Sequence, residues 1–323
     1  MAVYKTEHGF QIKHRSSDPS NPIAGEIWYN TTTQQVKVAP LIGAWASGND
    51  MNSPGSFGAG AGTQTAALKM AGQGPPRRIC EEYNGSTWTE TNDLNTDHFI
   101  TGGFGTQTAA VCAGGVPGAQ GQLDTVEEYD GTSWTSVTVM PAARQGPQGA
   151  GILTAGFMCG GRTDPGSPQV DTFEYDGTNW TAGGDLNTGG TVSACTGTQT
   201  AGLLAGRGPS GPHVQVEEYD GSSWTEVNSM GTARYAQASA GIQTAALISG
   251  GWTPSPNTKF ANVEEYDGTS FTEVSNLGTA RYALSGDGIQ TSAVMFGGST
   301  PTRIDSTEEY TKAATVRVVD TST

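Results

Sequence analysis

One phrase returns along the whole chain and restricts its fold more than any other feature. At its fullest it reads Glu-Glu-Tyr-Asp-Gly-Thr-Ser-Trp-Thr, and its tyrosines are Tyr83, Tyr129, Tyr175, Tyr219, Tyr266 and Tyr310, spaced by 46, 46, 44, 47 and 44 residues. That period is well above the ~33–34 residues of a helical TPR or ankyrin unit and matches a blade of four short strands. Each unit holds a short apolar run ending in glycine, as in Gly241 to Gly251, with equivalent runs ending at Gly115, Gly161, Gly206 and Gly298. A loop of variable length follows, then the Val-Glu-Glu-Tyr strand. An Asp-Gly or Asn-Gly pair then suggests a type I′ turn into the strand that carries Trp. Gly-Thr-Gln-Thr or Gly-Ile-Gln-Thr, at Gln64, Gln107, Gln199, Gln243 and Gln290, marks the first hairpin of five units, and the third reads Gly151-Ile152-Leu153-Thr154 instead.

Radial geometry explains the residue types. Strands crowd near a propeller axis and need Gly and Ala, which accounts for 47 glycines in 323 residues. The wider outer strands take Trp88, Trp134, Trp180, Trp224 and Phe271, expected to pack between blades. Trp45 to Asn52 parallels Trp180 to Asn187, and the last unit has no Asp-Gly-Thr-Ser-Trp of its own. An N-terminal strand around Trp45 is therefore expected to complete it and close the ring, removing open sheet edges. The predicted fold is all-β, a six-bladed propeller over 42–310. Residues 1–41 form an N-terminal segment with a possible β-hairpin, and 311–323 form a C-terminal tail or closing strand. Seven blades are the alternative, and would need another first hairpin.

The net charge of -15 opposes phosphate backbones, so nucleic acid is not an expected partner. Residues 1–22 contain no apolar run suited to a signal peptide and no run of 18 apolar residues occurs, so neither secretion by a signal nor membrane insertion is expected. Cys80, Cys112, Cys159 and Cys195 sit at non-equivalent places with no metal-ligand spacing, and read as buried thiols. His8, His14, His98 and His213 have no nucleophile signature beside them. Adjacent glutamates on a strand point to opposite faces and make no acid-base pair. The recurring Glu82, Glu128, Glu174, Glu218, Glu265 and Glu309 are expected to pair with the recurring arginines Arg144, Arg234 and Arg281, or else to line a cation site.

The double glycine, the Glu-Glu-Tyr-Asp-Gly strand and turn, the spaced Trp and the Arg before the next unit resemble kelch-type β-propellers over about 42–310. The chain departs from that pattern where Gly-Thr-Gln-Thr replaces the usual turn, and where Arg is missing from Asn95-Thr96-Asp97 and Asn187-Thr188-Gly189. Some kelch propellers carry a copper-radical oxidase site, but its Tyr and His ligands cannot be assigned here. Neither an enzyme nor a cofactor is expected.

With Gly9 to Pro19 and Gly25-Glu26-Ile27-Trp28-Tyr29-Asn30 placed before the propeller, the chain also resembles kelch-like virion proteins of marine tailed phages. That resemblance implies a structural virion protein, made in the host cytoplasm, present in multiple copies and displayed on a tail or fibre. Its partners would be other virion proteins, held through the N-terminal segment, and a host surface glycan or protein. A capsid decoration or tail-tip protein, and a soluble lectin or kelch adaptor, are the alternatives. Loops that escape a repeat carry function on a rigid scaffold. The candidate contact residues are therefore Arg77, Arg78, Arg162, Arg207, His213 and Trp252, all between second and third strands.

Overall fold

The structure is a computed structural model that describes residues 12–118, 121–163, 166–208, 214–314 and 316–319. His213 and Gly9 to Gln11 lie outside the described residues. The chain is all-β, with no helix among the described residues. It divides into two compact units, Met1–Ala44 with Thr311–Thr323, and Trp45–Tyr310. The boundaries fall inside the strands Leu41–Ser47 and Thr307–Ala314.

The larger unit is a propeller-like arrangement of four-stranded antiparallel sheets. Sheet I is Ala59–Thr63, Ala66–Met70, Cys80–Tyr83 and Trp88–Glu90. Sheet II is Gly102–Thr106, Ala109–Ala113, Val126–Tyr129 and Trp134–Ser136. Sheet III is Gln148–Ile152, Ala155–Cys159, Thr172–Tyr175 and Trp180–Ala182, and sheet IV is Ala194–Thr198, Ala201–Ala205, Val216–Tyr219 and Trp224–Val227. Sheet V is Ala238–Ile242, Ala245–Ser249, Val263–Tyr266 and Phe271–Glu273. Sheet VI is Ser285–Ile289, Ser292–Phe296 and Thr307–Ala314, with Leu41–Ser47 as its outermost strand. Each first strand touches the next, and that of sheet VI touches that of sheet I.

Local chemistry sets these hairpins. The first turn needs glycine where the chain reverses: Gly62 has φ +132°, and a Cβ there would fall 2.1 Å from the Ala66 carbonyl. The third turn corrects the expected type I′ form. Tyr129 pairs with Trp134, so four residues make the loop. Asp130 N–H donates to the Ser133 carbonyl, and the Asp130 carboxylate accepts from the N–H groups of Thr132 and Ser133 at 2.8 and 2.7 Å. Those donors hold the Asp130 carboxyl below its ordinary value. Asp176, Asp220 and Asp267 repeat the arrangement. An aspartate side chain mimicking a backbone turn outcompetes the two-residue hairpin because it satisfies two N–H groups at once.

Three sets of contacts recur between neighbouring sheets. Tyrosine hydroxyls donate to the second glutamate of the preceding sheet: Tyr129 to Glu82 at 2.7 Å, Tyr175 to Glu128 at 2.7 Å, Tyr219 to Glu174 at 2.6 Å, Tyr266 to Glu218 at 2.9 Å and Tyr310 to Glu265 at 2.8 Å. Tyr83 completes the series on Glu309 at 2.5 Å. Burial, with the carboxylate beside it, raises each phenol, that of Tyr129 to about 12. The turn glutamines form the second set. Gln107 Nε2 donates to the carbonyls of Ala67 and Tyr83, and Gln64, Gln199, Gln243 and Gln290 do the same on their own neighbours. Sheet III has Leu153 there, packed into the cluster of Phe104, Val111 and Tyr175.

The third set is a belt of backbone. Phe57, Ile100, Gly146, Val192, Ala236 and Ala283, each just before a first strand, all have φ between +52° and +64°. Ile100 N–H donates to the Phe57 carbonyl, Gly146 to Ile100, Val192 to Gly146, Ala236 to Val192, Ala283 to Ala236 and Phe57 to Ala283, at 2.7 to 3.2 Å. The head-to-tail bonds satisfy six donors and six acceptors, which offsets the strain of five side-chain-bearing residues in a conformation that favours glycine.

The tryptophans pack between sheets as expected. Trp88 Nε1 donates to Thr307 and its ring meets Phe296 edge-on at 4.8 Å, while Trp224 does the same with Thr172 and Phe157. Trp45 packs against Tyr310 with ring centroids 5.0 Å apart and planes tilted by 44°, and donates to the Ser275 carbonyl.

The smaller unit holds a sheet ordered Lys13–Arg15, Ile27–Asn30, Gln35–Val38 and Arg317–Val318. The expected hairpin is Ile27–Asn30 with Gln35–Val38, and the C-terminal strand pairs with it. Trp28 is buried and donates to Asp18, as does Asn30 Nδ2 at 2.7 Å. Glu26 receives Arg15 at 2.6 Å.

Candidate functional site

Connections between second and third strands lie at the belt end of the sheets. Bridges tie the residue before the belt to the one just past the second strand: Phe99 to Val116, Gln145 to Arg162, Tyr235 to Trp252 and Tyr282 to Ser299. This end is where the repeats disagree.

The cations of Trp45–Tyr310 fall into two groups. Lys69, Arg144, Arg207, Arg234 and Arg281 are buried. Arg207 reaches Glu217 at 2.5 Å, Arg234 reaches Glu264 at 2.9 Å and Arg281 reaches Glu308 at 2.7 Å. Lys69 lies 4.0 Å from Glu81, and Arg144 pairs with Asp171. In sheet II, His98 takes this place, 3.4 Å from Glu127. Burial pushes the Glu127 carboxyl up, but hydrogen bonds from His98 and from the N–H groups of Asn95 and Thr96 outweigh it and leave the group below its ordinary value.

Two expectations are corrected here. Arg207, Arg234 and Arg281 pair with the first glutamate of their doublets, not the second, because the second faces the neighbouring tyrosine, while Arg144 pairs with Asp171 in sheet III, which has Phe173 at the first position. Arg207, a candidate for ligand contact, is spent inside on Glu217. It supplies the cation missing from Asn187-Thr188-Gly189, and His98 follows Asn95-Thr96-Asp97 as the side chain beside Glu127. Asn187, Asn95 and Asn52 add backbone and side-chain donors to the same carboxylates.

The second group is Arg77, Arg78, Arg162, Lys259 and Arg303. All five lie between second and third strands, and all are exposed or half-buried. The turn carboxylates of Asp130, Asp176, Asp220 and Asp267 lie between third and fourth strands, at the opposite end. The accessible positive charge of this unit is therefore gathered on one face.

Aromatic rings run along that face. Tyr235, Trp252 and Tyr282 follow one another at 5.3 and 5.4 Å, Phe57 stands 6.0 Å from Tyr282, and Phe99 stands 5.7 Å from Phe57. Arg77 lies over the Phe99 ring at 5.1 Å. Burial and Tyr282 raise the Tyr235 phenol while the Arg162 charge opposes them. Arg162 also donates to Gln145 at 2.8 Å, Arg78 is 3.7 Å from Asp93, and Trp252 Nε1 donates to Asn257. The structure thus brings Arg77 and Trp252 to one aromatic run, with Arg162 at the same end of the sheets. Sequence reading missed Phe57, Phe99, Tyr235 and Tyr282, whose signal was an aromatic just before a first strand in some units only.

Among the described residues no group of three or more His, Cys, Asp or Glu is placed to hold a metal. The four cysteines are free thiols.

No family model and no curated protein matches the chain. Solved structures do. The structure of YjhT aligns with a TM-score of 0.71 at 12% identity, covering 84% of this chain and 99% of that one. The class that fold and likeness define is a β-propeller-like fold. At this identity the likeness carries the fold alone.

Proposed function

We propose that the chain is a closed six-bladed propeller serving as a non-enzymatic structural virion protein of a tailed phage, with its belt-end face adhering to an anionic host-surface glycan. Six sheets whose first strands touch in a ring, with Leu41–Ser47 as the outer strand of sheet VI, support six blades closed by an N-terminal strand. The compact unit around Gly25-Glu26-Ile27-Trp28-Tyr29-Asn30 supports attachment to other virion proteins by the N-terminal part.

One observation carries the adhesive reading: the accessible cations of Trp45–Tyr310 share a face with the aromatic run, in a chain of net charge -15. Aromatic faces stack on sugar rings and guanidinium forks bind carboxylate or sulfate. That combination suits an acidic glycan, and the overall charge disfavours nucleic acid.

Fluorescently labelled full-length protein, incubated with host cells at low and high salt, tests the proposal. Saturable binding that weakens with salt and is lost in Arg77→Glu/Arg162→Glu is expected. Undiminished binding by the double variant would overturn the face assignment. Labelling of particles away from the tail would overturn the adhesive role in favour of capsid decoration.

A further inference from the structure

The six first strands enclose an axial cavity of about 200 Å³, lined by Gly58–Gly62, Thr101–Gly105, Gln148–Gly151, Ser193–Gly197, Gln237–Gly241 and Leu284–Gly288. Glycine and alanine supply most of its wall, and it lies within the larger unit. One lining residue carries a carboxyl. At the central position of the first strand, the other sheets place Ala61, Phe104, Ala150, Thr196 and Ala240, and sheet VI places Asp287.

Asp287 is 6% exposed, and its Oδ2 has no hydrogen-bond partner. Its room comes from Gly60 across the seam, where a Cβ would stand 3.0 Å from Oδ2. A buried carboxyl without a partner is costly, and the alanines at the equivalent positions show that packing does not require it. Burial alone holds the group well above its ordinary value.

Several side-chain donors of the lining are committed, and the inner edges of the first strands turn backbone carbonyls as well as N–H groups to the cavity. Thr196 gives its hydroxyl proton to the Gly241 carbonyl at 2.6 Å, Ser239 to Cys195 at 2.8 Å and Ser285 to Gly58 at 3.3 Å. Gln237 Nε2 is bound to the Ala205 carbonyl at 2.7 Å, and its Oε1 is buried without a partner. The carbonyl oxygens of those edges and the unpartnered Asp287 carboxyl together offer oxygen ligands to a species that brings positive charge.

We propose that the axial cavity is a binding site for a hard divalent cation, held by the Asp287 carboxylate with neutral oxygens of the surrounding first strands. Oxygen-only donors select calcium or magnesium over zinc or copper. A single carboxylate sets a weak affinity, about 10⁻⁴–10⁻³ M for calcium. The site is independent of the glycan face and lies among the strands on which all six sheets converge.

Thermal unfolding of the full chain, with chelator or with about 10 mM calcium, magnesium or sodium chloride at matched ionic strength, tests it. Calcium or magnesium is expected to raise Tm by about 2–4 °C over chelator, with sodium inert. Asp287→Ala and Asp287→Asn are expected to lose that rise. Because the alanine variant removes a lone buried carboxyl, it should also melt above the wild type in chelator, which a folding defect would not produce. No divalent-specific rise in the wild type, or a full rise in both variants, overturns the proposal.

Discussion

The seams between sheets and the loops at the belt end come from the same repeats, yet they follow opposite rules. At the seams, different residues are made to do one job. The buried first glutamate is met by Lys69 in sheet I, His98 in sheet II, Arg207 in sheet IV, Arg234 in sheet V and Arg281 in sheet VI, from three different places in the repeat. At the belt end, equivalent positions do different jobs, with Tyr235, Tyr282 and Phe99 where sheets III and IV have Gln145 and Thr191. Interior positions answer to a fixed electrostatic requirement, since a buried charge has to be paired. Loop positions answer to nothing inside the molecule, so a concentration of rings and cations there points outward.

The comparison breaks most strongly at a buried pair. Arg234→Ala leaves Glu264 inside with two N–H donors, from Gly231 and Thr232, and no cation. A loss of about 3–5 kcal/mol is expected in urea unfolding at neutral pH. If the seams tolerate any pairing, Arg234→Lys should recover part of it, as the Lys69–Glu81 contact of sheet I suggests. The next effect is at the tyrosine set. Tyr175→Phe removes a 2.7 Å hydrogen bond to Glu128 and is expected to cost about 1.5–3 kcal/mol in the same assay. Equal losses for Tyr219→Phe and Tyr266→Phe would show that the seams are equivalent in energy as well as in geometry.

These seams were partly legible in the sequence. The tyrosine and tryptophan repeat gave the sheets and the packing of the indoles, because a recurring large side chain needs a recurring pocket. The glutamate doublet announced one carboxylate per face, but two-residue alternation does not say which face meets an arginine and which meets a neighbour's phenol. The missing arginines of units II and IV were visible and their replacements were not: Arg207 reaches its carboxylate from another segment, past the second strand, and His98, which stands two residues before the belt as Arg234 and Arg281 do, is not an arginine. The candidate arginines were chosen by loop position alone, which could not separate Arg207, folded inward, from Arg77 and Arg162. Asp287 stood out only when the central positions of the six first strands were compared in three dimensions.

Sheet III offers a gentler way to sharpen the comparison. It lacks the turn glutamine, and Leu153→Gln would place Nε2 where Gln107 and Gln199 make their paired bonds, here facing the carbonyls of Ala110 and Tyr129. The gain from those bonds, about 1 kcal/mol, is opposed by the apolar contacts that Leu153 makes beside Phe104 and Val111. A net change within about 1 kcal/mol of zero is expected. A large loss would mean that sheet III has adapted its whole seam to leucine.

The smallest effect on stability is expected where the largest effect on binding is proposed. Arg77 and Arg162 are half-exposed, and their contacts are a ring face at 5.1 Å and a glutamine oxygen at 2.8 Å. Removing both charges should move the unfolding free energy by no more than about 0.5 kcal/mol, since exposed charges contribute little to the fold. The same pair removed together with Trp252 should abolish retention on an acidic polysaccharide column, while substitution at Asp130 and Asp176, at the opposite end, should leave retention unchanged. A loop-face variant that unfolds as readily as Arg234→Ala would place these arginines with the seams, and the distinction between the two regions would fail at the residues chosen to represent it.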